Sequence, residues 1–383
     1  MQALKKILVF IDWFLPGYKA GGPIRSVANL TAHLSGEFKF FIVTRDTDYL
    51  ETNPYADVEP NKWVDFAENV KVFYFSADNL SVANIKKLVN NTDFDIVYIN
   101  GIYSFYFSLL PVYLFRKTRK KVVVASRGML SEHSFSSKNL KKKIFFRFAR
   151  LFKFYKNGYF HVTNEQEKNE VGSLNLKPKG FMVAPNLAAK LPGAKNIYKK
   201  KTPAVLKLIS IARISVEKNT LFALQALADG EYLGDIKLDI YGSVYRQEYW
   251  NECLSVIKSL PENIKVSYKG ELDNKKVNET LQNYHFSFLP SLGENFGHSI
   301  LESLSAACPV IISDQTPWRN LEEKNVGWDI PLKNKDKFIN TIQYCIDMDQ
   351  EEYDKWSEKA YGFAKEFANK PELIEQSRKL FVT

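Results

Sequence analysis

The sequence predicts an α/β protein of two domains, each built on a parallel sheet. Three observations carry that prediction. Residues 286–330 (FSFLPSLGENFGHSILESLSAACPVIISDQTPWRNLEEKNVGWDI) read as an apolar strand and a glycine-containing loop. A helix with apolar residues at Ile300, Leu304 and Cys308 follows, then a second apolar strand, PVIIS. Strand, loop, helix, strand is the unit of a parallel sheet. A chain of 383 residues is also long enough for two domains that each bury their own core. Finally, 191–203 (LPGAKNIYKKKTP) carries Pro, Gly and Lys without hydrophobic periodicity, as a linker does. The expected division is 1–190, the linker 191–203, a second domain 204–360, and a charged helical tail 361–383.

Composition narrows the class. Hydrophobic residues make up 45% of the chain and aromatics 14%, which marks a globular protein rather than a disordered one. Cys253, Cys308 and Cys345 lie far apart without metal-ligand spacing and read as reduced thiols of a cytoplasmic protein. The opening MQALKKILVFID is expected to be a first strand rather than a signal peptide. No uninterrupted apolar run approaches the ~20 residues that span a bilayer. Net charge is +10, but residues 116–156 hold fourteen Lys or Arg against one acid, Glu132. That stretch carries +13 and leaves −3 for the remainder, so the basicity is one local patch. No nucleic-acid partner is expected.

Along the first domain, the strand over 7–11 runs into DWFLPGYKAGGP, and Pro23 suits the first turn of the helix IRSVANLTAHL. Gly21 and Gly22 thus put bare backbone at a helix start over a strand end. The dinucleotide fingerprint G-x-G-x-x-G is absent, although Asp46 ends the strand FFIVTRD. Two D-x-D pairs, 46–48 and 93–95, are what chance supplies at this Asp content, and no metal site is assigned to them. The strand DIVYINGIY reaches Asn100–Gly101, VVVASRGML follows a basic helix end, and His133 is a lone polar candidate beyond it. HVTNEQE (161–167) reads as a strand entering a helix.

In the second domain LKLISIAR ends at Arg213, and Lys218 lies five residues on, just before a helix. Two fixed cations at such a place can hold a departing diphosphate. Further strands are expected at KLDIYG and VSYKGEL. In the segment 286–330, Glu294 lies in the loop and Glu302 within the helix, and Phe296, Gly297 and His298 offer backbone N–H groups at the helix start, a seat for phosphate. Ligands of parallel sheets sit outside the carboxyl ends of the strands, where this loop lies.

These residues carry a resemblance. ENFGHSILE (294–302) resembles the E-x7-E signature of retaining glycosyltransferases of family 4, which have the two-domain GT-B architecture. PVIISDQTPW, GWDI and the SRGML of 126–130 are similar to that family too, especially to members that build bacterial surface polysaccharides. The resemblance implies two Rossmann-like domains facing across a cleft, with the final helix crossing back onto the first. It implies transfer of a sugar from a nucleoside-diphosphate sugar to an acceptor hydroxyl, with retention and without a metal or other cofactor. By it Glu294 contacts the donor sugar, Glu302 the ribose, and Arg213 and Lys218 the diphosphate. Gly21 and Gly22 lie near that diphosphate, Gly270 to Leu272 near the base, and Arg127, Gly128 and His133 on the acceptor side. Asn100 stands where many members have a His that approaches the sugar.

Two further readings stay open: a non-catalytic subunit that binds a nucleotide sugar or lipid head group, and a nicotinamide-dependent oxidoreductase, against which the missing fingerprint speaks. The acceptor is expected to be a polysaccharide or a lipid-linked glycan. Residues 138–156 (KNLKKKIFFRFARLFKFYK) have helical spacing. Leu140, Ile144, Phe148, Leu151, Phe152 and Tyr155 share one face, expected to pack inward. Lys142, Lys143, Arg150 and Lys153 share the other, with Phe146 among them. A basic face bearing an aromatic suits an anionic bilayer, so attachment at the inner face of the cell membrane is expected.

Overall fold

The computed structural model describes residues 3–130, 139–190 and 198–382, with the backbone alone for 139–143. It divides into two compact units, Met1–Lys190 with Lys370–Thr383, and Leu191–Asn369.

The first unit holds eight strands: β1 (Lys5–Ile11), β2 (Phe38–Arg45), β3 (Trp63–Ala67), β4 (Val70–Phe75), β5 (Ile96–Asn100), β6 (Lys121–Ala125), β7 (Gly158–Val162) and β8 (Gly180–Val183). Their order is β3-β4-β2-β1-β5-β6-β7-β8, and every pair is parallel except β3 on the edge. The apolar runs of the central strands are continuous because helices cover both faces. Leu8 and Phe10 of β1 join Val97 and Ile99 in one core, while Ile7, Val9 and Ile11 join Ile96 and Tyr98 in the other.

The second unit holds β9 (Val205–Ile211), β10 (Asp235–Tyr241), β11 (Ile264–Tyr268), β12 (Phe286–Leu289), β13 (Val310–Ser313) and β14 (Gly327–Ile330). Their order is β11-β10-β9-β12-β13-β14, all parallel. In both sheets the chain winds outward from its first strand and then reverses. The reversal falls between β1 and β5 and again between β9 and β12, and such switch points open a crevice at the carboxyl ends of the strands.

Three sequence expectations change. The Lys-rich half of 191–203 is no spacer: Lys199 and Lys201 are buried in the second unit. Lys201 donates to the carbonyls of Thr202, Ile346 and Met348, and Lys199 to that of Leu281. Each thereby satisfies acceptors that would otherwise be buried unpaired. Second, the tail returns to the first unit at Lys370 rather than 361, because the helix Gln350–Ala368 runs unbroken within the second unit. The helix Pro371–Lys379 then packs on the helix Gly22–Leu34, and Leu380 and Phe381 are fully buried.

Third, the basic helix is turned about its axis. It spans Asn139–Leu151, and Phe146 and Ala149 face the core beside Tyr155. Ile144, Phe148, Leu151 and Phe152 are 47%, 55%, 71% and 67% exposed, whereas Phe146 is 3% exposed. Tyr155 leaves that exposed face because the helix stops at Leu151, after which Lys153 turns left-handed (φ 47°) and folds Tyr155 back inward. Among the described residues no helix is long and apolar enough to cross a membrane.

Candidate functional site

The switch point of the second unit gathers the charged residues singled out in its sequence. After β9, backbone bonds from Ala212 to Tyr241 and from Ile214 to Ser243 pin the chain on either side of Arg213, whose exposed guanidinium lies 5.6 Å from the centre of the Tyr245 ring. The following turn is stitched to the loop after β12. Leu292 N–H donates to Glu217 O at 2.8 Å, and Asn219 Nδ2 to Pro290 O at 3.0 Å. This brings Lys218 Nζ to 2.6 Å from Glu294 Oε1, which also accepts from Ser291 Oγ at 3.0 Å. Both side chains are mostly buried, at 20% and 11% exposure. Glu217 stands beside both cations. Burial alone would raise its carboxyl, but its backbone N–H, Arg213 and Lys218 together hold it below the usual range.

The helix His298–Ser305 starts from Gly297, which is left-handed (φ 77°). A Cβ there would come within 2.8 Å of Ile300 Cδ1 and 3.2 Å of Trp318 Nε1, so both conformation and space demand glycine. Trp318 Nε1 donates to Phe296 O at 2.6 Å, and its ring packs on Phe296 and Phe367. No side chain caps the helix and no acid lies in its first turn, so its positive end is open to an anion. The His298 ring lies 4.7 Å from that of Phe296, and Glu302 sits half-buried one turn on. Gly270 (φ 74°) accepts from Gly242 N–H at 2.8 Å, and Leu272 packs beside Leu281 and Tyr284.

The first unit places its candidates at its own switch point. Gly21 (φ 74°) precedes the helix Gly22–Leu34, which has Pro23 in its first turn and neither side-chain cap nor acid there. Asn100 ends β5, and its Oδ1 accepts from Arg127 Nε at 2.7 Å. Arg127 Nη2 donates to Tyr98 OH at 2.6 Å, and Nη1 donates to Asn186 Oδ1. Arg127 and Gly128 are both left-handed (φ 52° and 69°). Glu167 holds this turn: Oε1 accepts from Ser126 Oγ and Gly128 N–H, and Oε2 from Thr163 N–H and Oγ1, all within 2.8 Å. His133 lies outside the described residues. Among the described residues no three His, Cys, Asp or Glu are grouped as metal ligands, and all three cysteines are free and buried.

Sequence reasoning gave no role to Ser291, Glu217, Tyr98, His161 or Asn186, and picked out Glu167 only as the end of the HVTNEQE segment. Only Glu167 left a signal, an acid in the first turn of a helix capped by Asn164, and there it reads as a dipole partner.

Comparisons with known proteins bear on the family and the fold. Residues 195–363 match the profile of the family described as glycosyl transferases group 1. A curated relative, the poly(glycerol-phosphate) alpha-glucosyltransferase of Bacillus subtilis (strain 168), is 28% identical over 230 residues, 56% of this chain and 31% of that protein. The match thus spans about a third of that relative's length. The sucrose-phosphate synthase of Thermosynechococcus elongatus superposes with a TM-score of 0.71 at 15% identity, over 98% of both chains. Anabaena HepE, solved in complex with UDP and glucose, superposes with a TM-score of 0.69 at 16% identity, over 98% of this chain and 99% of that one. At such identities the likeness is one of fold.

Proposed function

We propose that this protein transfers a sugar from a nucleoside-diphosphate sugar to an acceptor hydroxyl, with retention at the anomeric carbon, because residues 195–363 match the glycosyl transferases group 1 and the chain has the GT-B fold. The observation that carries the proposal is the Lys218–Glu294 pair, fixed by two loops stitched across the switch point, with Arg213 five residues before Lys218 and beside Glu217. A donor phosphate would draw Lys218 away from Glu294 and free that carboxylate for the sugar. Arg213 and Lys218 then stabilise the charge that grows on the leaving diphosphate, where preorganised cations count most. The anomeric carbon–phosphate oxygen bond breaks as the acceptor oxygen bonds to that carbon. The leaving phosphate oxygen takes the acceptor proton, so neither a protein base nor a metal is required. Glu302 holds the ribose, Gly270 and Leu272 border the base, and Phe296, Gly297 and His298 offer the helix start to phosphate. The first unit contributes Gly21, Gly22, Asn100, Arg127 and Gly128, with His133 the remaining acceptor-side candidate.

The donor to test first is UDP-glucose, since the Bacillus relative is named a glucosyltransferase and HepE was solved with UDP and glucose. The acceptor is a polysaccharide or a lipid-linked glycan. We place the protein in the cytoplasm, at the inner face of the membrane. There the exposed Ile144, Phe148, Leu151 and Phe152, flanked by Arg147, Arg150 and Lys153, form a surface of the kind that lies on anionic bilayers.

Release of nucleoside diphosphate from a panel of nucleotide sugars, with and without a chelator, is the decisive assay. Release from at least one donor in both conditions is the expected result. Tight donor binding with no release even when glycan acceptors are present would leave the non-catalytic binding subunit as the reading. Activity abolished by the chelator and restored by manganese would overturn the metal-free scheme.

A further inference from the structure

Arg127 is held by three neutral groups, the oxygens of Asn100, Asn186 and Tyr98, and among the described residues it pairs with no carboxylate. Arg45, at the end of β2, differs: it is matched by Asp12 at 3.2 Å. A guanidinium carries five N–H groups, and these three contacts leave two, on Nη1 and Nη2. Its backbone is left-handed without being glycine, a conformation that persists only where the surroundings enforce it. Glu167 supplies that enforcement through four hydrogen bonds to the backbone and hydroxyls around it.

The bonds behind Arg127 run in a single direction. Arginine can only donate and a carbonyl can only accept. Arg127 Nη2–H therefore donates to Tyr98 OH, Tyr98 O–H to His161 Nδ1 at 2.8 Å, and His161 Nε2–H to Ala184 O at 2.8 Å. The chain closes only with neutral His161. Burial first, and the nearby Arg127 charge second, push that imidazole down to about 3, so the arrangement persists through the physiological range. The structure thus keeps a guanidinium fixed on neutral partners, with no carboxylate bonded to it among the described residues. Nearby, Asn29 of the helix Gly22–Leu34 donates to Leu187 O, next to Asn186, which ties the uncapped helix to the segment that holds Arg127.

We propose that Arg127 is an anion-binding residue that receives a phosphate ester of the acceptor through its two remaining N–H groups, with Tyr98, His161 and Asn186 as positioning residues. The planar fork of arginine matches two oxygens of one phosphate. The inference rests on the transferase reading for the word acceptor, but its test does not need turnover.

The probe is glycerol 3-phosphate, followed by its 31P resonance in the presence of the full chain, with glycerol and glycerate added as competitors whose binding is read as the return of the free linewidth. Phosphatidylglycerol in mixed micelles is the second arm and asks whether the phosphate comes from a lipid head group. Broadening by glycerol 3-phosphate, or by the micelles alone, with weaker or no binding of glycerate, is the expected result. Arg127→Gln should weaken it by on the order of tenfold to a hundredfold, as losing a charge-assisted contact does. Tyr98→Phe should weaken it less while donor binding is unchanged. Asn186→Asp covers the case in which Arg127→Gln fails to fold, since it neutralises Arg127 with an isosteric carboxylate and should abolish phosphate binding without loss of thermal stability. Phosphate binding undiminished in both Arg127→Gln and Asn186→Asp, or glycerate bound as tightly as glycerol 3-phosphate, overturns the inference. Failure of the transferase reading shows separately, as no diphosphate release by the wild type.

Discussion

At the scale of single residues Lys218 and Glu294 bond to each other, and substitutions among the cations and acids of the second unit should separate by kinetic signature. Lys218→Ala or Arg213→Ala is expected to lower turnover about a hundredfold, the scale for one preorganised charge contact. Glu294→Gln should lower turnover more than donor affinity, because its contact strengthens as the sugar gains positive charge. Glu302→Ala should instead raise the donor Kd. Steady-state kinetics with a donor titration checks all four, and near-normal kinetics in both Glu variants would remove the assignment of the acid pair. Asn100→Ala should damage transfer while circular dichroism stays native. The buried histidines give a pH test. Burial, the largest cause at each, depresses His161 to about 3 and His285 to about 4. The folded values lie below the unfolded value near 6.5, so it is the unfolded chain that binds the extra proton. The stabilisation is therefore full above pH 6.5 and is lost as pH falls toward 4. Between pH 7 and 5 each unit should lose about 2 kcal/mol through its histidine. Denaturant titrations at the two pH values measure it, and equal stabilities would refute the neutral buried state.

Among elements, the helix Asn139–Leu151 decides what the membrane reading means. The exposed rings of Phe148 and Phe152 are parallel at 6.2 Å, with Ile144 and Leu151 exposed beside them. The reversed face strengthens the case for a bilayer, because four apolar side chains now meet solvent where the sequence offered one. Flotation should carry the protein up with anionic liposomes but not neutral ones, and high salt should release it. Phe148→Ser with Phe152→Ser should abolish flotation at low salt. If the double variant floats like wild type, charge alone holds the surface and the apolar stripe has another role. This helix also shows where the sequence ran out. Strands such as IVYIN and VIIS were legible because fully buried runs leave few alternatives, whereas Val70–Phe75 and Gly180–Val183 went unread. Which face of an amphipathic helix turns inward was not, since Phe146 between cations carries no local mark of its burial. The edge strand Trp63–Ala67, exposed over its last three residues, left no signal either. In the candidate sites Glu294, Lys218 and Gly297 were legible because spacing fixes them against a strand end. Tyr98, His161 and Asn186 were not, because what unites them is a hydrogen-bond chain between strands far apart in sequence.

For the whole molecule the relevant fact is that the last residues of the described chain belong to its first core. Phe381 is fully buried against Phe38, Phe40 and Tyr98, with ring centres 5.5 to 5.9 Å apart. Arg378 grips Glu37 with both arms of its fork, and Lys121 Nζ donates to Val382 O. The exposed ion pair contributes little, so the aromatic contact must carry the attachment. Phe381→Ala is expected to cost about 3–5 kcal/mol, the range for emptying a buried aromatic site. That cost should fall on the first unit alone, since the second buries a separate core around Phe286, Phe288 and Trp328. Calorimetry should show one transition moved down and the other unmoved. Nucleoside diphosphate should still bind, because Lys218, Glu294 and the open helix start all lie in the unaffected unit. Phosphate binding through Arg127 should weaken with the lowered transition, because Tyr98 touches both Phe381 and that guanidinium. If both transitions fall together, the two cores are energetically one, and the separate assignment of donor and acceptor chemistry to the two units loses its physical basis.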